Sequence, residues 1–304
     1  MNRWKGRPRR APAGGVRPAL ERTWRSRGGQ PRTTRKTAPP HAASVGVRAS
    51  QLSFSFVIES WAACAPGVDT PQRWAQWAGA PWLPEGEPQV PLAAVAPMLR
   101  RRFAPLGRLA AQATLDLAGS PTVEPGADLA DQPTVYASRY GETARCLELL
   151  AHQALGETLS PTAFGLSVHN AIGAMIALTR GDRRNSSAIA AGHTTVAAGV
   201  AEALALLEDG ATRVNLVAYD APLPAGYASF EDEPSAYFAF AWQLRRPRRG
   251  ERALHLEWAA DEGDAEVVHA QLPSGLRALW FGLSGARSLI QSDGGRRCTW
   301  RRDD

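Results

Sequence analysis

Residues 187–219 read Ser187-Ala-Ile-Ala-Ala-Gly192-His-Thr-Thr195-Val-Ala-Ala-Gly-Val-Ala-Glu-Ala-Leu-Ala-Leu-Leu207-Glu-Asp-Gly210-Ala-Thr-Arg-Val214-Asn-Leu-Val-Ala-Tyr219. Ser187–Ala191 is a short apolar strand that ends at Gly192. Thr195–Leu207 is a long Ala/Leu-rich helix, and Asp209-Gly210 supplies its C-terminal stop. Val214–Tyr219 is apolar almost throughout, as a strand buried on both faces must be. Strand, tight turn, helix and strand in this order predict an α/β domain with its sheet covered on both faces.

Working outward, Asn170–Thr179 reads as a buried Ala/Ile-rich helix in which Gly173 permits close approach. Glu142–Leu155 is a helix whose apolar face carries Leu147, Leu149, Leu150 and Leu155, and Thr134–Ala137 is a short strand. Upstream, Leu92–Phe103 and Leu106–Leu117 read as helices, the first interrupted at Pro97. Trp74 to Trp82 reads as a Trp-rich loop broken by Pro81 and Pro84, and Phe54–Ile58 as a strand. Downstream, Ala236–Leu244 and Leu254–Trp258 are strand candidates and Leu276–Leu283 a short helix. Thr299-Trp300-Arg301 is a candidate edge strand. No repeat of fixed period is present.

The 304 residues are 44% hydrophobic and 8% aromatic, which suits a packed core and excludes a wholly disordered chain. The net charge of +6 is unevenly distributed. Residues 1–50 hold 13 of the 35 Lys/Arg and one of the 29 acids, Glu21, leaving 22 bases and 28 acids for residues 51–304. The chain therefore divides into a basic tail, 1–50, expected to be disordered, and a mildly acidic body, 51–304. The tail is readable as a nucleic-acid arm, an anionic-membrane tether, an Arg-rich transit peptide, or leader sequence upstream of the true start. As a function for the whole protein, nucleic-acid binding through this arm ranks lowest, because the body carries no nucleic-acid module. Three widely spaced cysteines (Cys64, Cys146, Cys298) argue against a disulfide scaffold and suit a reducing cytoplasm. No apolar run reaches the roughly 18–20 residues of a membrane span.

Nucleotide-binding glycine loops, zinc-type Cys/His clusters and H-E-x-x-H are absent, so neither a cofactor nor a metal is expected. Gly165-Leu-Ser167-Val-His169 starts like a nucleophile elbow but ends in His where Gly belongs. Two constellations remain. Ser167, His169 and Asn170 stand before a helix. They could pair as an activated hydroxyl and its base, or serve as caps with the His on a backbone carbonyl. Gly192, His193 and Thr194 form the strand-to-helix turn that α/β enzymes use to present a nucleophile, with His193 at its apex and no acidic partner visible in sequence. Glu231-Asp232-Glu233 reads as a solvated loop, and the eight tryptophans of the body as core or interface anchors.

Five blocks in order, Tyr136-Ala-Ser-Arg-Tyr-Gly-Glu142, Leu159-Ser-Pro-Thr-Ala-Phe164, Ser167-Val-His-Asn-Ala171, Ala188-Ile-Ala-Ala-Gly192 and Val217-Ala-Tyr-Asp-Ala-Pro-Leu-Pro224, resemble the β-ketoacyl synthase-like N-terminal domain family. The likeness is to the small chain-length-factor homologues of aryl-polyene gene clusters, and it covers roughly residues 52–300. It implies a thiolase-like layered α/β fold, one N-terminal half followed by a truncated or degenerate second part. In catalytic members the turn after the Ser187–Ala191 strand carries an acyl-accepting cysteine, which falls here near His193. This chain has no cysteine between Cys146 and Cys298, and His255 and His269 lack the surroundings of second-half catalytic histidines. An acidic apex is common among these homologues, and His193 departs from it.

The resemblance therefore implies a non-catalytic partner of a β-ketoacyl synthase. Such a heterodimer would shape the acyl pocket, meet an acyl carrier protein through the complex, and place the partner surface near residues 160–220. The alternative is a stand-alone acyltransferase or thioesterase using Ser167/His169 or His193.

Overall fold

The computed structural model describes residues 52–119, 132–261 and 267–304. Expectations for residues 1–50 lie outside the described residues. Eight strands form one mixed sheet: β1 (Leu52–Cys64), β2 (Thr134–Ala137), β3 (Ser186–Ile189), β4 (Val214–Asp220), β5 (Phe238–Arg245), β6 (Leu254–Ala260), β7 (Ser288–Asp293) and β8 (Arg296–Arg302), in the order β3-β2-β4-β5-β1-β6-β8-β7. β2 runs parallel to β3 and β4, and every other pairing is antiparallel.

The helices are α1 (Pro71–Gly79), α2 (Pro97–Arg100), α3 (Pro105–Ala118), α4 (Thr143–Ala154), α5 (Pro161–Gly165), α6 (Ala171–Arg180), α7 (Thr195–Glu208) and α8 (Ser274–Leu283). One face of the sheet packs on α1, α7 and α8, with Trp74, Val200, Leu276 and Phe281 in a common core. The other face packs on α3 and α6 through Leu109, Leu117 and Ile176.

The alternation of strand side chains fits these two cores. Phe238, Phe240, Trp242 and Leu244 of β5 face α7 and α8, while Ala239 and Ala241 face α3. In β1 the parity changes partway along. Phe54, Phe56 and Ile58 face the α7/α8 side, and beyond Glu59 it is Trp61 and Ala63 that do. The cause is a bulge: Ile58 pairs with Leu244 and Ser60 with Gln243, so Glu59 is the extra residue. Its side chain leaves the ladder to pair with Arg213 and Arg245. The bend lets β1 give its first half to β6 and its second half to β5.

Several expectations need correction. Trp74 and Trp77 lie on a helix, not a loop: Thr70 caps α1, Pro71 occupies its first turn, and both indoles are fully buried against the core. Pro97 begins α2 rather than interrupting a longer helix; Leu92, at φ 47, lies outside it. β3 is a half-exposed edge strand, not a buried one. Residues 299–301 belong to β8, which is paired on both sides; the edge is β7, joined to β8 through Gly294-Gly295 with φ of 56 and 76. The sheet is also not covered throughout. Where β6 and β8 extend it, the face opposite α8 carries polar Ser55, His255, Glu257 and Arg301. Among the described residues no helix is long and apolar enough to cross a membrane.

Candidate functional site

The turn predicted to present a reactive group is built as the sequence suggests. β3 ends at Ile189, Gly192 adopts φ 53, and residues 192–194 form a single 3-10 turn that runs into α7. Hydroxyls stitch it together. Thr194 Oγ1 donates to the Ala191 carbonyl at 2.9 Å, and Thr195 Oγ1 donates to the Gly192 carbonyl at 2.7 Å while accepting from Ala191 N at 2.9 Å.

His193 stands at the apex, its side chain 25% exposed. Its Nε2 donates to Asp232 Oδ1 at 3.3 Å, which requires the proton on that nitrogen because a carboxylate only accepts. Glu233 lies 4.0 Å from the same nitrogen. The 231–233 segment is therefore not a free solvated loop. Asp232 pairs with Arg139 at 2.7 Å, and that guanidinium holds its carboxyl down to a pKa of about 2. Glu233 is nearly buried between Arg139 at 3.2 Å and Arg277 at 3.6 Å, and it also accepts from Ser274 N and Oγ. The acidic partners missing from the local sequence thus arrive from a segment about forty residues on. Together with His193, Arg277 and Gln291 they line a cavity of about 320 Å³.

A third carboxylate comes from farther still. The backbone N–H of His193 donates to Asp293 Oδ2 at 2.9 Å. Asp293 is the last residue of β7, the opposite edge of the sheet from β3. It approaches so closely that a Cβ on Gly192 would overlap its carboxylate, which together with the positive φ is why glycine stands there.

Ser167, His169 and Asn170 are not assembled for catalysis. Ser167 Oγ donates to the Phe164 carbonyl at 2.9 Å, and His169 Nε2 donates to the Ser138 carbonyl at 2.8 Å, so each is engaged with backbone. Asn170 is the N-cap residue of α6 by position but makes no side-chain cap bond. His169 and Asn170 border a cavity of about 390 Å³ with Tyr136 and Ser187, separate from the His193 cavity. His255 lies on the outer sheet face, where its Nε2 donates to Asp303 at 2.7 Å and its Nδ1 faces Ser55 Oγ at 3.0 Å.

Asp220 ends β4 and accepts from Ser138 Oγ (2.9 Å), Arg139 N (3.0 Å) and Tyr140 N (3.2 Å). Burial outweighs those bonds and raises its pKa from 3.8 to about 7. The folded chain then holds a proton that the unfolded chain releases, so this residue's contribution to stability falls as pH rises from about 4 to 7 and is flat above. Urea unfolding across that range is expected to show Asp220→Asn gaining on the parent chain by up to about 4 kcal/mol. Parallel pH profiles for the two proteins would contradict a protonated Asp220.

The three-layer fold, the strand-to-helix turn and the five ordered sequence blocks together define a thiolase-like domain of the ketosynthase kind. The chain belongs to the β-ketoacyl synthase family: the family model described as beta-ketoacyl synthase, N-terminal domain, matches residues 74–301.

Among solved structures it resembles a chain of the ketosynthase (ApeO) in complex with its chain length factor (ApeC) from Xenorhabdus doucetiae. That match has 26% identity and a TM-score of 0.66 over 82% of this chain and 100% of that one. The fold is shared with the ishigamide ketosynthase/chain length factor, at 14% identity and TM-score 0.56, covering 69% of this chain and 68% of that one. It is shared also with AntDE:AntF, a type II PKS acyl-carrier protein in complex with its ketosynthase, at 10% identity and TM-score 0.52, covering 69% and 71%. No curated protein matches.

Proposed function

We propose that the chain is a non-catalytic chain-length factor: it pairs with a catalytic β-ketoacyl synthase, shapes the shared acyl pocket and meets acyl carrier protein through that complex. The observation that carries this reading is the apex residue. Condensation needs a thiolate at the turn, and His193 occupies it. Cys64 and Cys298 are buried thiols whose pKa burial pushes far up, and Cys146 on α4 donates to the Ser167 carbonyl at 3.1 Å. The relative in which a ketosynthase is held by a chain length factor supports the same reading.

The surface offers a place for such a partner within and beside residues 160–220. Among the described residues β3 has no strand on its outer side, and α4 has no buried residue. Leu150, Leu155, Phe164, Val168 and Leu178 are exposed on α4, α5, α6 and their flanks, large apolar side chains that a partner could cover.

Co-expression of residues 51–304 with the β-ketoacyl synthase encoded nearest to it, followed by mass measurement of the purified species, tests the proposal. A one-to-one heterodimer is the expected result. A stable monomer that ignores the synthase would overturn it, as would condensation of malonyl and acyl thioesters by the isolated chain.

A further inference from the structure

We propose that Asp293 is a built-in electrostatic block of the turn, closing it to nucleophilic chemistry independently of which side chain stands at position 193. The inference rests on the reading of this turn as a disused nucleophile position. A strand-to-helix turn serves covalent chemistry because the first amides of the helix, aligned with its dipole, create positive potential. That potential lowers a thiol pKa and stabilises a developing oxyanion. Here α7 is long enough, at 14 residues, to supply it. The amide at the apex is nevertheless already committed, since His193 N donates to Asp293 Oδ2 at 2.9 Å. A permanent carboxylate occupies the position where transient negative charge would need stabilising.

Glycine at 192 makes this possible, because the carboxylate sits against its α-carbon in space that any side chain would fill. The remaining charges facing the apex side chain nearly cancel. Asp232 and Glu233 point at it from the 231–233 segment, balanced by Arg139 and by Arg277 of α8. Asp293 is the carboxylate that meets the amide itself, with Arg296 opposite it in the β7–β8 ladder, and that hairpin delivers it from the opposite edge of the sheet.

The test installs the missing thiol with and without the carboxylate. Full-length H193C and H193C/D293N are treated with iodoacetamide at pH 7, and alkylation at position 193 is followed by peptide mass spectrometry. The parent chain supplies the background from Cys64, Cys146 and Cys298. Asparagine keeps a carbonyl oxygen to accept the apex N–H while removing the charge. Alkylation of H193C/D293N is expected to be at least about tenfold faster than that of H193C. H193C/D293E, which restores the charge, should be slow again and guards against a rate gained by local unfolding. Equal rates for H193C and H193C/D293N, whether both fast or both slow, would overturn the proposal. All three rates are read on the isolated chain, so failure to pair with a synthase leaves this result standing, and equal rates leave the pairing proposal untouched.

Discussion

Replacing Trp300 by alanine is expected to cost about 3–5 kcal/mol of stability, with a fall in Tm on the order of 10 °C. Trp300 is fully buried on β8, at the point where the extension of the sheet meets α8. Its ring lies 6.0 Å from Phe281, 6.3 Å from Phe56 and 6.4 Å from Trp242, so four elements share one aromatic cluster. Its Nε1 donates to Gln291 Oε1 at 2.9 Å, and Gln291 in turn donates to the Ser274 carbonyl at 2.9 Å. Truncation would leave a cavity and also an unpaired buried amide oxygen. Trp300→Phe keeps most of the packing and should lose less than half as much. Urea unfolding that places Trp300→Ala within 1 kcal/mol of the parent would show that β8 is peripheral to the core.

Phe164→Glu is expected to weaken pairing with the synthase by a factor of about 100 or more while leaving the isolated chain folded. Phe164 lies on α5, a single turn capped by Ser160, and is 61% exposed. An exposed aromatic costs little to replace in the monomer, yet it is the residue type on which interface energy concentrates. A buried glutamate would add a desolvation penalty to the lost contact. Trp82→Glu serves as control: it is similarly exposed at 47%, but it follows α1 on the other side of the sheet. Titration of the labelled synthase with each variant distinguishes them. Unchanged affinity for Phe164→Glu would remove α5 from the interface.

The strand–turn–helix–strand unit was legible because its apolar runs have the lengths of regular elements; β4 is buried as its sequence demands, while β3 forms in place but at a half-exposed edge. α1 was not legible: with two of its three buried residues Trp, the segment looks like a loop anchored by aromatics, and only the Thr70 cap with Pro71 betrays a helix. The β7–β8 hairpin carried a readable signal in Asp293-Gly294-Gly295 between strand-like runs, since two adjacent positive φ values require such residues.

The candidate site was legible only in half. Gly192, His193 and Thr194 are contiguous and declare a turn. Asp232, Glu233, Arg139, Arg277 and Asp293 reach it from four other segments, and charged residues in a loop or at a strand end look alike whether solvated or paired. Ser167 and His169 left two readings open, and backbone engagement is the one the geometry bears out. Two positions apart, they turn to different backbone carbonyls, because residues at that spacing near a helix start do not share a face.

β3 and β7 are the two outermost strands of the sheet, and Asp293 at the end of one closes on the amide of the turn that follows the other. That hydrogen bond joins residues 100 positions apart in the chain. A contact so distant in sequence is rewarded only after its loop-closure entropy has been met, so it forms after the local pairings around it. The His193 amide therefore reports when the two ends of the sheet are in place. In a pulse-labelling refolding experiment it should gain protection after the amides that pair β4 with β5, whose partners are close in the chain.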